Sequence, residues 1–550
     1  MKRTLGGALL AAALWVLGAC TPPPFVSPAQ GGPTWSRLTT LHFTLYTDAP
    51  ADEARDTARE LEEIYGALEA VGFPYSKKPK GRFEVTLFRH QDAFRQIAPP
   101  VSDGYFQRDA HDPDGRPMMV LYQGEGEHLR AILQHELTHR FVAFYFPVAP
   151  VWLNEGLART YETLAFGGGQ AEVGKVPPGR IFGRNTQIMI GADRGVTTLS
   201  VDEVPGVDAL LATDWHQFYG ASDGPQDLKR ATVHYEAAWN LVHTLRFGPP
   251  PLREAFDDYL LALANRREPR AAFRDAMRAH GVTLPQLEAA YRQHVRQWGI
   301  PFDRVAYAPR PLPAPHVQPM GEADVHLLWA RVRPWRGENA ARAGAEIEAA
   351  LKADPSSAIA YVLRGDWRQR QKRDQYAAAL ADYRKAVALA PDDSRALYAL
   401  AGHLDTYVDG HPDDAAAAGE LTTLLDRLRE RPGSSSAFNL LAWYDARKGD
   451  PARGLPLAKQ AIAANPSCFA CYDTAAVLLH RLGRLPEAVE AQRNAVNLMP
   501  DGVRVPAIMS RLREFERELA AAPASSAEPA SSAAPASPAA PTSASAAGSP

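Results

Sequence analysis

The stretch that decides the fold is "HELTHRFVAFYFPVAPVWLNEGLA", residues 135–158. Residues i and i+4 share one face of a helix, so His135 and His139 can turn their Nε2 atoms toward one point, with Glu136 one residue along. The helix carrying them begins upstream in "EHLRAILQHELTHRFVAFYF" and must stop before Pro147, because the residue before a proline disfavours the helical region. Pro147 and Pro150 bound a brief connector, after which "VWLNEGLARTYETLAF" reads as a second helix. Two antiparallel helices joined this way return Glu155 opposite the two histidines; Glu162, seven residues later on about the same face, is a weaker rival.

Outward from this core the pattern is α+β. "LTTLHFTLYTD" alternates as a strand, "ADEARDTARELEEIYGALEAVGF" has helical periodicity, and "RFEVTLFRH" and "RPMMVLYQG" read as strands, the last leading straight into the histidine helix. "PMMVLY" reads equally as a sheet edge that could hold an extended chain by backbone hydrogen bonds, or as a core strand. From Leu228 to about His294 the chain is helical again, interrupted at "GPPP". The first folded unit is therefore expected over residues 34–300.

Two histidines at i, i+4 around a glutamate form the H-E-x-x-H constellation, whose histidines suit one zinc ion and whose glutamate suits a general base. Five residues recur by chance, so a third ligand decides. One zincin pattern requires Gly at 142 and His at 145; Val142 and Tyr145 exclude it. "HELTH" followed by "PVWLNEGLA" resembles the peptidase MA-like family of gluzincin metallopeptidases. The resemblance covers residues 34 to about 300 and implies a zincin-like α+β domain, mostly helical around the site. Carried over residue by residue, it makes His135, His139 and Glu155 the ligands of one zinc ion and Glu136 the base that activates water to hydrolyse a peptide or protein substrate. In "HYEAAWNLVHTL", Tyr235 and His234 stand where gluzincins often place an oxyanion donor; Tyr235 equally suits a core face with Trp239 and Val242. His90, His111, His216 and His243 lack metal spacing and read as surface or core residues.

Residues 301–322 are dense in proline and read as a linker. Beyond it Pro355, Pro391, Pro432, Pro466 and Pro500 punctuate paired helices. Aligned on these prolines, Ala343, Ala379 and Ala488 share one small-residue position. Ala350, Ala386, Ala461 and Ala495 share another, seven residues on. Residues 323–505 resemble tetratricopeptide repeats, about five units with the third stretched. The resemblance implies an all-α solenoid whose groove holds a protein partner or substrate. Cys468 and Cys471, in "SCFACYD", read as small core residues or a local disulfide.

Charge excludes one class of partner. With 60 Lys+Arg against 63 Asp+Glu, the net charge of −3 offers no basic field for nucleic acid. Met1-Lys2-Arg3 followed by apolar Leu5 to Leu17 reads as a signal peptide over residues 1–19. Leu17-Gly18-Ala19-Cys20 resembles the lipobox of bacterial lipoproteins, which implies lipid attachment at Cys20; Thr21 after it resembles an outer-membrane address, on the periplasmic side. Residues 20–33 read as a flexible tether, and the Ala/Pro/Ser-rich residues 521–550 as a disordered tail. A rival reading is an inactive peptidase-like lipoprotein that scaffolds envelope complexes through its repeats.

Overall fold

The computed structural model describes residues 25–521, apart from 80, 99–103, 109–116, 125, 178–179, 183–186, 193–194, 221–224, 297–299, 336, 372–374 and 500–504. The signal segment, Cys20 and the tail beyond residue 521 lie outside the described residues, as does His111.

A six-stranded mixed sheet organises the first unit, in the order His316–Pro319, Ser36–Thr39, Phe43–Thr47, Phe83–Phe88, Pro117–Tyr122, Gly104–Arg108. The stretch read as one strand at 38–48 is thus two strands of a hairpin. Phe83–Phe88 pairs in parallel with strands on both sides, and its residues are almost all buried, as parallel strands covered on both faces must be. Alternation sorts its side chains. Val85 and Leu87 face the helices Ala51–Ala67 and Gly126–Tyr145, while Phe88 packs on the other face with Trp35 and Trp329.

After the connector, the helix Val151–Tyr161 ends sooner than its sequence pattern suggests. Ala165–Gly167 and Gln170–Val173 form a tight hairpin whose turn residues Gly168 and Gly169 have φ of +58° and +82°, a conformation that favours glycine. Helices Pro225–Phe247, Pro250–Ala264, Pro269–Ala279 and Leu284–Val295 complete this unit, the break falling at Gly248 and Pro249 within "GPPP".

Residues 301–322 are not a free linker. Asp303–Ala306 pairs with Gln170–Val173, and His316–Pro319 pairs with Ser36–Thr39 at a sheet edge, where a proline costs no ladder hydrogen bond. The residues read as a tether are likewise packed from Phe25 onward. The Phe25 ring stacks on Trp329 at 4.3 Å, Ser27 is buried, and the Ala29 amide donates to Glu322 Oε2 at 2.9 Å.

Five antiparallel helix pairs follow: Glu322–Val332 with Gly337–Ala353, Ala358–Gln371 with Tyr376–Leu389, Ser394–Gly410 with Ala415–Glu430, Ser435–Arg447 with Pro451–Ala464, and Phe469–Arg481 with Leu485–Asn497. This is a helical-repeat solenoid, and all seven alanines aligned from sequence are completely buried in it. The third unit is stretched because its helices run to 17 and 16 residues, against 13 and 14 in the fourth. A further helix, Pro506–Ala521, extends the solenoid beyond the expected boundary at 505; it buries Ile508 and Phe515 and pairs Arg511 with Asp473. Cys468 and Cys471 form a disulfide at the start of the fifth unit.

Both ends of the solenoid rest on the first unit. At one end Trp329 enters the core beneath the sheet, and Arg331 pairs with Glu84 at 2.6 Å. At the other, Ser467 Oγ donates to the Ala143 carbonyl at 3.3 Å, and the Arg266 guanidinium lies 5.3 Å from the Tyr472 ring centre.

Candidate metal centre

The helix that carries Glu155, Val151–Tyr161, meets the helix Pro225–Phe247 at Gly156 without an intervening side chain. That approach leaves Glu155 buried, 2% exposed, facing the histidine helix. His135 Nε2 lies 3.3 Å from Glu155 Oε2, and His139 Nε2 lies 3.7 Å from Glu155 Oε1. One donor atom from each of these three residues falls within 4.8 Å of the others, the only such group of three or more among the described residues.

The outer face of each imidazole is also occupied. His135 Nδ1 donates to Glu162 Oε2 at 3.1 Å, and His139 Nδ1 donates to Asn154 Oδ1 at 3.0 Å. With each Nδ1 bonded outward, each Nε2 faces Glu155, where it would offer its lone pair to a bound ion. Glu162, the rival ligand, therefore stands behind His135; its other oxygen is held by Arg159 at 2.6 Å.

Electrostatics show the cost of bringing these groups together. Burial alone would lower the pKa of His135, but the carboxylates of Glu155 and Glu162 beside it outweigh this and hold it at about 10. Burial would raise Glu155, yet the charges of His139 and His135 pull it down to about 2. Burial raises Glu136, with His139 and His135 opposing, and the Phe106 amide donates to its carboxylate. Glu155 Oε2 is sealed from water and accepts no hydrogen bond. Two imidazole Nε2 atoms, one carboxylate oxygen without a hydrogen bond and outward bonds on both rings make a donor set that fits a zinc ion.

Other candidates lie as follows. Tyr235 comes to this site, its ring centre 6.2 Å from that of His135 and 6.1 Å from that of Tyr219. His234 points away, bonded through Nδ1 to the Phe218 carbonyl at 3.0 Å. His243 is buried against the Gly174 carbonyl, and His90 and His216 lie at the surface. "PMMVLY" is an inner strand, with Met118 to Leu121 fully buried; the sheet edge beside the site is Gly104–Arg108.

Sequence reasoning missed three neighbours. Tyr219 donates its hydroxyl to Glu155 Oε1 at 2.5 Å from a point 64 residues along the chain. Asn154 adjoins Glu155, and only its side-chain direction reveals its role. Phe106 belongs to a strand whose residues carry no clear alternation.

No protein-family model matches this chain, and no curated protein does. Among solved structures it is similar to a thermophilic TPR protein of Thermus thermophilus, 18% identical over 36% of this chain and 99% of the other, TM-score 0.29. It is also similar to PilF of Pseudomonas aeruginosa, 22% identical over 36% and 87%, TM-score 0.29, and to PilW, a type IV pilus biogenesis factor, 19% identical over 36% and 92%, TM-score 0.29.

Proposed function

We propose that the chain is a zinc-dependent peptidase whose repeats recruit a protein substrate or partner. The observation that carries this reading is the convergence of His135 Nε2, His139 Nε2 and a Glu155 oxygen, with both Nδ1 atoms bonded outward. In this reading those three residues hold the metal, which when bound polarises a carbonyl and acidifies water. Glu136, raised by burial, accepts the proton of the attacking water and passes it to the departing amine. The edge strand Gly104–Arg108 lies beside the site, where an extended peptide could add by backbone hydrogen bonds. Tyr235, whose ring lies beside His135, is the oxyanion donor in this reading. The N-terminal signal and Cys20 add an exported, lipid-anchored location, read by whether Cys20→Ser releases the protein from the membrane fraction.

The solenoid favours a second reading, a repeat-based binding or scaffold protein without turnover. Zinc content and cleavage of a peptide library by the full chain, with Glu136→Gln as control, separate the two. The peptidase reading expects one zinc per chain and cleavage reduced about 100-fold or more in the variant. Equal cleavage by both proteins, or none by a zinc-loaded wild type that still captures a partner after His135→Ala, favours the scaffold.

A further inference from the structure

We propose that Tyr219 is a positioning residue of the metal centre: by holding Oε1 of Glu155 it presents Oε2 alone as the ligand oxygen. The inference rests on the metal reading above and names how the third ligand is aimed. A carboxylate can offer one oxygen or two, and nothing in the H-E-x-x-H helix determines which. Here the two oxygens of Glu155 are treated differently. Oε1 accepts the Tyr219 hydroxyl at 2.5 Å, within the short range of a hydroxyl donating to a charged oxygen. Oε2 has no hydrogen bond, is sealed from solvent, and lies 3.3 Å from His135 Nε2.

Tyr219 is itself held in place. It is the last residue of the short helix Trp215–Tyr219, whose start is closed by reciprocal bonds between Asp214 and Gln217. Its ring lies against Trp215 at 4.8 Å and Phe218 at 5.0 Å. A phenol has one proton to donate. That of Tyr219 goes to Glu155. Tyr219 therefore acts through Glu155 and not on substrate, and its loss is felt in metal affinity.

The test uses the full-length protein stripped of metal and titrated with Zn²⁺ against a chromogenic chelator. Wild type is expected to bind one zinc, and Tyr219→Phe to bind it about 10–100-fold more weakly, the usual cost of removing an outer partner of a ligand. X-ray absorption of the zinc-loaded wild type is expected to show a single carboxylate oxygen, a measurement that needs no variant and stands even if Tyr219→Phe fails to fold. Equal zinc affinity of the variant, or two carboxylate oxygens in wild type, overturns the inference while leaving the metal reading intact. So does a variant that keeps its affinity but loses turnover, because Tyr219 would then act on substrate. A wild type that takes up no zinc overturns both.

Discussion

A β-carbon on Gly156 would lie 2.5 Å from the carbonyl oxygen of Ala238 and 2.5 Å from Val242 Cγ2. The helix that carries Glu155 meets the helix Pro225–Phe247 at this point, one residue from Glu155. Gly156→Ala is expected to force them apart and cost about 1–3 kcal/mol, the usual range for overpacking. Urea unfolding of the metal-free protein measures it, and zinc affinity should fall in the same variant because Glu155 moves with the helix.

Glu162 is placed as the partner of His135 and not as a ligand. Glu162→Ala should therefore weaken zinc binding about 10–100-fold without abolishing it, whereas Glu155→Ala should abolish stoichiometric uptake. Equilibrium dialysis of the two variants tells them apart, and the reverse ranking would make Glu162 the ligand.

His326 clasps the first repeat to the N-terminal segment. Its Nδ1 bonds Glu346 Oε2 at 2.6 Å and its Nε2 bonds Glu322 Oε1 at 3.2 Å, while Glu322 Oε2 holds the Ala29 amide. Burial opposes its protonation, but the two carboxylates prevail and raise its pKa above 6.5. A raised folded pKa gives stability that is complete below the unfolded value and lost as pH rises through the folded one. Thermal unfolding should therefore show His326→Gln falling furthest below wild type at pH below about 6.5, with the gap narrowing as pH rises above it.

Asp445 is wholly buried in the fourth repeat and pairs with Arg429 and Arg453, each at 2.8 Å. Asp445→Ala leaves the Arg429 charge without its buried partner, at an expected cost of about 3 kcal/mol or more. A lowered urea midpoint of the whole chain would register this loss, since both ends of the solenoid are docked.

Much of the fold and the candidate site was legible because it is written in short-range periodicity. His135, Glu136 and His139 share one helix, Glu155 follows after a proline-bounded turn, and buried alanines recur at fixed offsets from Pro355 through Pro500. These relations depend on 3.6 residues per turn and on where proline stops a helix, both local properties.

What the tertiary structure alone decided lies between elements far apart in sequence. Tyr219 reaches Glu155 across 64 residues, and Gly104–Arg108 takes the sheet edge that "PMMVLY" could equally have held. The proline-rich residues 301–322 pair with strands on the first unit, and Phe25 to Gln30 dock on the first repeat. Sequence spacing sets which residues share a helix face. It does not set which oxygen of a buried carboxylate receives a distant hydroxyl, because that depends on how separately formed elements pack.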